Sequence, residues 1–98
     1  MTLGLPDTWR TVEGDEAKSL VFELEREICS AHKIFGLQTE AIARMLARDN
    51  FLFTTNSHEH PYVVVHLTWS VETKPDWPWF TTFTSFDDFK ENWQRIYD

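Results

Sequence analysis

The chain has 98 residues and a formal net charge of −7 at pH 7. A chain of this length is expected to form a single domain, 1–98, with a core of its own. The acidic balance disfavours a nucleic-acid partner and an anionic membrane surface, since both require concentrated Lys and Arg. It permits a basic protein partner.

The chain begins without the basic and apolar segments of a signal peptide, and no run approaches the ~20 apolar residues of a membrane span. We therefore expect a soluble cytoplasmic protein. The single cysteine, Cys29, cannot form an internal disulfide. The sequence contains neither a glycine-rich phosphate loop nor a nucleophile elbow, so we expect no cofactor and assign no catalytic residue.

The first helix is predicted over about 15–32. Residues 1–14 contain Gly4, Pro6 and Gly14 and are expected to form an irregular arm. From Asp15 onward, apolar residues recur at helical spacing until Gly36 stops the pattern. The acidic residues of this segment, Glu23 and Glu27 among them, are expected on its solvated face.

Residues 38–48 allow two readings. Their Ala, Glu, Met and Leu content favours a helix. Their alternation favours a strand, and the Asp49-Asn50 pair that follows is a hairpin signal before the β-favouring run 51–55. We predict strands over about 38–46 and 51–55, with a helix over 38–48 as the alternative.

The longest β-favouring run covers 62–71 and is predicted as the central strand. One face of it is wholly apolar and consists of Val63, Val65, Leu67, Trp69 and Val71. A loop with two prolines separates it from a fourth strand over about 79–84. Ser85 is expected to cap a second helix over about 86–97.

Five stretches of the chain resemble a family of small, uncharacterised bacterial proteins. They are His32–Gly36, Ala41–Arg44, Asp49–Phe53, Tyr62–Trp69 and Glu72. The His-Leu-Thr-Trp segment is the most specific part, and the resemblance spans roughly 9–90. Asn50 and Lys33 depart from the family pattern, which has Asp and Pro there. The resemblance implies a strand at 38–46 within an α+β domain, and it implies no activity or catalytic residue.

These elements predict an α+β fold with the order α-β-β-β-β-α. Four strands form a sheet about 19 Å wide at ~4.8 Å spacing. Two helices ~8–10 Å apart cover that width once. We therefore predict a four-stranded antiparallel sheet with both helices on one face and the opposite face uncovered.

The uncovered face and the Trp-rich loop together form the predicted binding surface. Its residues are Arg44, Tyr62, His66, Thr68, Glu72, Trp77 and Trp79. Exposed tryptophans are typical of partner hot spots, which predicts a protein partner or a homodimer. In the alternative, the rings fold back and close the open face of the sheet.

Two chemical alternatives involve His66. Paired with Glu72 beside a wall of Trp77 and Trp79, it would suit a small enzyme or a ligand-binding protein. With His58 and His60 it would offer three metal ligands. Because no fourth ligand is evident, a polar loop is the simpler interpretation of His58 and His60, and we expect no metal.

Overall fold

The computed structural model describes residues 4–70 and 77–94 and shows an α+β fold. Its elements in chain order are β1 (Trp9–Thr11), α1 (Gly14–Glu27), β2 (Thr39–Met45), β3 (Asn50–Thr55), β4 (Tyr62–His66), β5 (Trp79–Phe83) and α2 (Phe86–Asn92). In this part of the chain, neither helix has the length and apolar character that crossing a membrane requires.

The strands form one antiparallel sheet in the order β1-β2-β3-β4-β5. The predicted fold class and antiparallel sheet are confirmed, but the predicted count of four strands is wrong. The additional strand, β1, lies within the segment predicted as an irregular arm. Its three residues pair with β2, from Trp9 opposite Met45 to Thr11 opposite Ala43. Three residues are too few to show alternation, so only the tertiary partner identifies this strand.

β2 is extended in spite of its helix-favouring composition. It lies between β1 and β3, and its alternate residues Ala41, Ala43 and Met45 are buried. A bulge between Ala41 and Ala43 shifts its register against β3. Burial and pairing on both sides override the local helix propensity, which is a preference of only a few tenths of a kcal/mol per residue.

The two helices lie on opposite faces of the sheet, so the prediction that both pack on one face is wrong. Leu20 and Leu24 of α1 belong to a cluster with Phe51 and Phe53 of β3 and Val63 and Val65 of β4. The second cluster brings α2 to the other face; its buried members are Trp9, Ala43, Met45, Leu52, Val64, Phe83 and Phe89. Successive residues of β3 and β4 therefore enter different clusters. Both faces are apolar, and each needs its own cover.

β4 ends at His66, earlier than the predicted boundary at 71. Val63, Val65 and Leu67 are buried on the α1 side as predicted. Trp69, which was predicted to share that covered face, is 48% exposed and has a φ of 60°. This left-handed conformation turns the chain out of the sheet. Val71 and Glu72 lie outside the described residues.

Both helices have the predicted type; α1 ends earlier than predicted, and the predicted end of α2 at 97 lies outside the described residues. α1 ends at Glu27 because Ile28 is already extended, with φ −81° and ψ 132°. Ser85 caps α2, since its hydroxyl accepts a hydrogen bond of 2.9 Å from Asp88 N–H. The described part of α2 spans Phe86–Asn92.

Replacing Phe89 tests whether the α2 face is a true part of the core. The ring is fully buried, with its centroid 5.1 Å from Trp9 and 5.6 Å from Phe83. Phe89→Ala is expected to lower the free energy of unfolding by about 3–5 kcal/mol because it leaves a cavity. Phe22 is 70% exposed, and Phe22→Ala is the matched control, with an expected change within about 0.5 kcal/mol. Urea denaturation measures both; equal losses would contradict the two-sided core.

Candidate functional site

The candidate site lies at the end of the sheet where β4 finishes and β5 starts. In the register of the sheet, His66 is opposite Asn50 on β3 and opposite Trp79 on β5. Trp69 follows β4 by three residues, and Trp77 precedes β5 by two. We call His66, Trp69, Trp77 and Trp79 the tryptophan end.

The three indole rings of the tryptophan end are strongly exposed. The exposed fractions are 48% for Trp69, 43% for Trp77 and 55% for Trp79. The rings of Trp77 and Trp79 lie 6.4 Å apart between centroids, with their planes inclined by 33°. The chain therefore presents a paired aromatic surface to solvent beside His66.

The segment that carries Trp77 and Trp79 is anchored by His32. Pro78 is buried between the two exposed tryptophans, and its carbonyl lies 2.9 Å from His32 Nε2. Ile34 N–H donates to His32 Nδ1 at 3.2 Å. Because Nδ1 accepts, Nε2 carries the hydrogen and donates to Pro78. The imidazole is buried 4.9 Å from the Phe80 ring. The role of His32 depends on contacts 46 residues away, so sequence reasoning missed it.

His66 is oriented by a polar chain that crosses the sheet. Its Nδ1 lies 2.9 Å from Asn50 Oδ1, and Asn50 Nδ2 lies 3.8 Å from Met45 Sδ. The amide nitrogen thus faces a weak acceptor and the amide oxygen faces His66, so Nδ1 is the donor. Nε2 then keeps its lone pair, and the His66 side chain is exposed. This lone pair can accept a hydrogen bond, take up a proton or bind a metal.

The tautomer of His66 can be measured directly. We expect the hydrogen of neutral His66 on Nδ1 and that of His32 on Nε2, so the two side chains serve as opposite references in one spectrum. Long-range ¹H–¹⁵N NMR correlation distinguishes the two forms. Asn50→Ala removes the acceptor, and the Nδ1–H preference of His66 is expected to disappear while His32 stays unchanged. The same tautomer for both histidines would contradict the assignment.

The backbone at Thr68 and Trp69 is held by the buried carboxyl group of Glu27. Glu27 is fully buried at the end of α1. Its Oε1 accepts from Thr68 N–H at 2.7 Å and from the Thr68 hydroxyl at 3.0 Å, and its Oε2 accepts from Trp69 N–H at 2.8 Å. The Trp69 ring meets Phe51 edge-on, with 5.8 Å between centroids. These contacts fix a tryptophan that has left the sheet.

The helical spacing of apolar residues gave the wrong position for Glu27, which was expected on the solvated face of the helix. Removal from water raises the pKa of Glu27 to about 7, and a hydrogen bond with Glu23 adds to the rise; the donors on Thr68 and Trp69 oppose it. The pKa of Glu23 is lowered, chiefly because Arg26 pairs with it at 2.6 Å. Glu23 is the ionised partner, and it favours the proton on Glu27.

The raised pKa of Glu27 predicts a pH-dependent stability with a definite sign. Between the ordinary value of 4.5 and about 7, folded Glu27 keeps a proton that the unfolded chain releases. The free energy of unfolding should therefore fall as pH rises through this window, by at most about 1.4 kcal/mol per pH unit. Glu27→Gln cannot ionise and is expected to lack this fall. Urea denaturation from about pH 5 to about pH 8 measures the difference.

The lowered pKa of Glu23 makes the free energy of unfolding rise with pH. It does so below the pH window in which Glu27 acts. Its contribution is present above the ordinary value of 4.5 and is lost only as pH falls below it. Any loss of a hydrogen bond in Glu27→Gln is a constant offset that does not depend on pH. A gap between wild type and variant that stays constant, or that widens in favour of wild type as pH rises, would contradict the assignment.

The predicted binding face is only partly assembled. Arg44 lies on the α1 side, 3.2 Å from Glu16 and 4.8 Å above the Phe51 ring, so it does not share a face with His66. Tyr62 begins β4 at the opposite end of the sheet and packs 5.9 Å from Phe86. The Thr68 hydroxyl is bonded to Glu27. Of the predicted residues, the structure brings together His66, Trp77 and Trp79.

Of the three histidines considered for a metal site, His66 lies at the opposite end of β4 from His58 and His60. His58 and His60 lie in the loop between β3 and β4, which precedes β4, whereas His66 is the last residue of that strand. Across residues 4–70 and 77–94, no group of three metal-ligating side chains is assembled. The His60 backbone instead closes the loop, since its carbonyl accepts from the Thr55 hydroxyl at 2.6 Å.

Comparison of the chain with protein-family models, with curated proteins and with solved structures finds no match. Its function is therefore inferred from the chemistry of the tryptophan end. The side of this end that carries His66 offers apolar stacking area from the paired indoles of Trp77 and Trp79 and one oriented imidazole lone pair, whereas Trp69 lies on the α1 side against Phe51. These groups are suited to binding, and a single imidazole adds the capacity to accept a proton.

Proposed function

We propose that this protein is a binding domain that docks a protein partner through the tryptophan end. The observation that carries the proposal is the exposure of three tryptophans, between 43% and 55% each, at one end of the sheet. An indole is the side chain most enriched in the energetic centres of protein interfaces. Each buries on the order of 150–250 Å² when it is covered.

The core of the domain does not need these rings. Trp9 shows how the same fold buries an indole, since it is 4% exposed and packs 5.1 Å from Phe89. Both apolar faces of the sheet already have a helix and a buried cluster. The exposed tryptophans therefore represent apolar surface in excess of what folding uses, which favours a role in binding.

The tryptophan end is also held in place before a partner arrives. Pro78 is tied to His32, and Trp69 is tied to Glu27 and Phe51. A surface that is already ordered loses less conformational entropy when it binds, so more of the contact energy appears as affinity. These fixed contacts favour a specific partner.

Charge defines the kind of partner. The chain carries a net charge of −7, which attracts a basic protein and steers its approach. A basic protein partner in the cytoplasm is the main form of the proposal, and a second copy of the chain is the alternative. Repulsion between two acidic copies makes the homodimer the less favourable of the two.

A tryptophan substitution tests the proposal. Trp79→Ala is expected to weaken partner binding at least ~30-fold, the effect of losing a hot-spot residue of about 2 kcal/mol. Phe22→Ala removes another exposed ring, on α1, and should leave binding unchanged. Affinity capture with the tagged full chain, followed by calorimetry with the recovered protein, compares the three chains. Light scattering detects the homodimer. A partner retained equally by wild type and Trp79→Ala would sink the proposal.

A second candidate function is small-ligand binding or catalysis at His66. The observation that favours it is the Asn50 hydrogen bond, which leaves Nε2 of an exposed imidazole available beside Trp79. Glu72, the acid predicted to act with His66, lies outside the described residues. Zinc ions and a mixture of common metabolites should shift the NMR signals of His66 if this function is correct. Unchanged His66 signals would remove it.

A further inference from the structure

A second surface lies at the opposite end of β2 from the tryptophan end. A groove of about 420 Å³ separates the first half of α1 from the first half of β2. Gly14, Ala17, Lys18 and Val21 form the helix wall, and Thr39–Ala41 form the strand wall. Its volume lies within the ~300–1,000 Å³ of ligand-binding clefts. We call it the α1–β2 groove.

The groove exists because β1 pairs with only the second half of β2. The register ends with Thr11 opposite Ala43, and Val12 N–H then donates to the Ile42 carbonyl at 3.1 Å. Gly14, with a φ of +63°, turns the chain out of the sheet and into α1. No described strand lies beside Thr39–Ala41 on this side.

The unpaired side of β2 presents backbone hydrogen-bonding groups. Toward β3, the Gln38 carbonyl accepts from Asn56 N–H at 3.1 Å. Backbone groups alternate in direction along an antiparallel strand, so those of Thr39 and Ala41 point the other way, toward the groove. Among the described residues, these groups have no hydrogen-bond partner.

The Thr39 side chain gives an independent indication of a missing partner. Its Oγ1 is buried and forms no hydrogen bond with any residue that the structure describes. Buried hydroxyls are normally paired, because an unpaired one loses its bonds to water without compensation. A polar ligand in the groove would pair with the neighbouring backbone groups of β2, and the unpaired hydroxyl shows that this part of the strand lacks hydrogen-bond partners.

We propose that an extended, basic segment of a partner protein adds to the sheet as a short strand in the α1–β2 groove. An extended backbone supplies alternating N–H and C=O groups, which match those of Thr39 and Ala41. Ala17 and Val21 offer an apolar wall for one of its side chains. Lys18 is the single cation among the described residues of the groove lining. The exposed carboxylates on or beside the lining outnumber Lys18; they are Glu13, Asp15 and Glu40. This negative charge favours a partner segment with basic residues at its ends.

The probe is the heptapeptide Lys-Thr-Val-Thr-Val-Thr-Lys, added to the folded full chain and followed by NMR and calorimetry. The amide signals of Thr39 and Ala41 are expected to move downfield, and their hydrogens should exchange more slowly with solvent. A peptide N-methylated at its three central residues lacks the required donors and should not bind. A version with Glu in place of both Lys should bind at least about tenfold more weakly.

Two variants and a matched control locate the binding. Ala17→Leu fills the groove and should abolish peptide binding, whereas Ser19→Leu adds the same side chain at an exposed position of α1 and should not. Thr39→Pro removes an outward N–H without removing a hydrogen bond to β3, and should weaken binding about tenfold. If Thr39→Pro does not fold, the comparison of Ala17→Leu with Ser19→Leu decides.

Three results with the peptide would overturn the proposal. They are no peptide binding to the wild type, binding that Ala17→Leu leaves intact, and equal binding of the Glu-flanked peptide. A dimeric mass by light scattering together with protected Thr39 and Ala41 amides in the free protein would mean that a second copy fills the groove, which also overturns it. Trp79→Ala should leave peptide binding unchanged, so failure here is distinguishable from failure at the tryptophan end.

Discussion

The fold depends on the burial of both faces of β3 and β4. Residues 51–53 of β3 and 63–65 of β4 are each at most 2% exposed, so every residue in these runs packs against something. A sheet with two apolar faces needs a layer on each side, and the chain supplies one helix per face. The 14 residues of α1 span about 21 Å at 1.5 Å per residue. The seven residues of α2 reach only about half of that distance. Aromatic rings complete the cover on the α2 face, and His66 and Trp79 stay in solvent where that cover ends.

The sequence predicts what depends on local pattern and misses what depends on distant partners. Alternation and turn chemistry identified the β2–β3 hairpin, β4 and β5 within a few residues, but β4 was predicted as the central strand and β3 occupies that position. Alternation gave the wrong prediction for Val64. Val64 was assigned to the solvent-facing side of the strand because His66 on that side is polar, but Val64 is buried. β1 is too short to carry a pattern, and without it the sheet appeared to have four strands. At the candidate site, the exposure of Trp77 and Trp79 was one of two predicted alternatives, and Trp69 was wrongly predicted to be covered. The roles of His32 and Glu27 were not predicted, because their partners lie 46 and 41 residues away.

Both proposed binding surfaces lie where a strand ends early or where the layer packed on a face of the sheet ends. β1 leaves β2 after three paired residues, and the first half of β2 keeps an unpaired side next to α1. On the other end, β4 leaves the sheet after His66, and the chain that follows carries Trp69 outward. Incomplete layers are costly in a domain of this size, since little surface can be spared from the core. The two surfaces lie at opposite ends of β2 and share α1 as their common wall and anchor.

Glu27 shows how the fold accepts a cost in order to fix one of these surfaces. A leucine at this buried position would gain about 1.5–3 kcal/mol of apolar burial and would avoid the desolvation of a carboxyl group. It would also leave the part-buried amides of Thr68 and Trp69 without their acceptor, at about 1–3 kcal/mol for each. The two costs are similar, so stability alone does not select the carboxyl group. Only the carboxyl group fixes the backbone conformation here, because its two oxygens accept hydrogen bonds from two successive amides. That conformation, with a φ of 60° at Trp69, places the indole against Phe51 and leaves it half exposed to solvent.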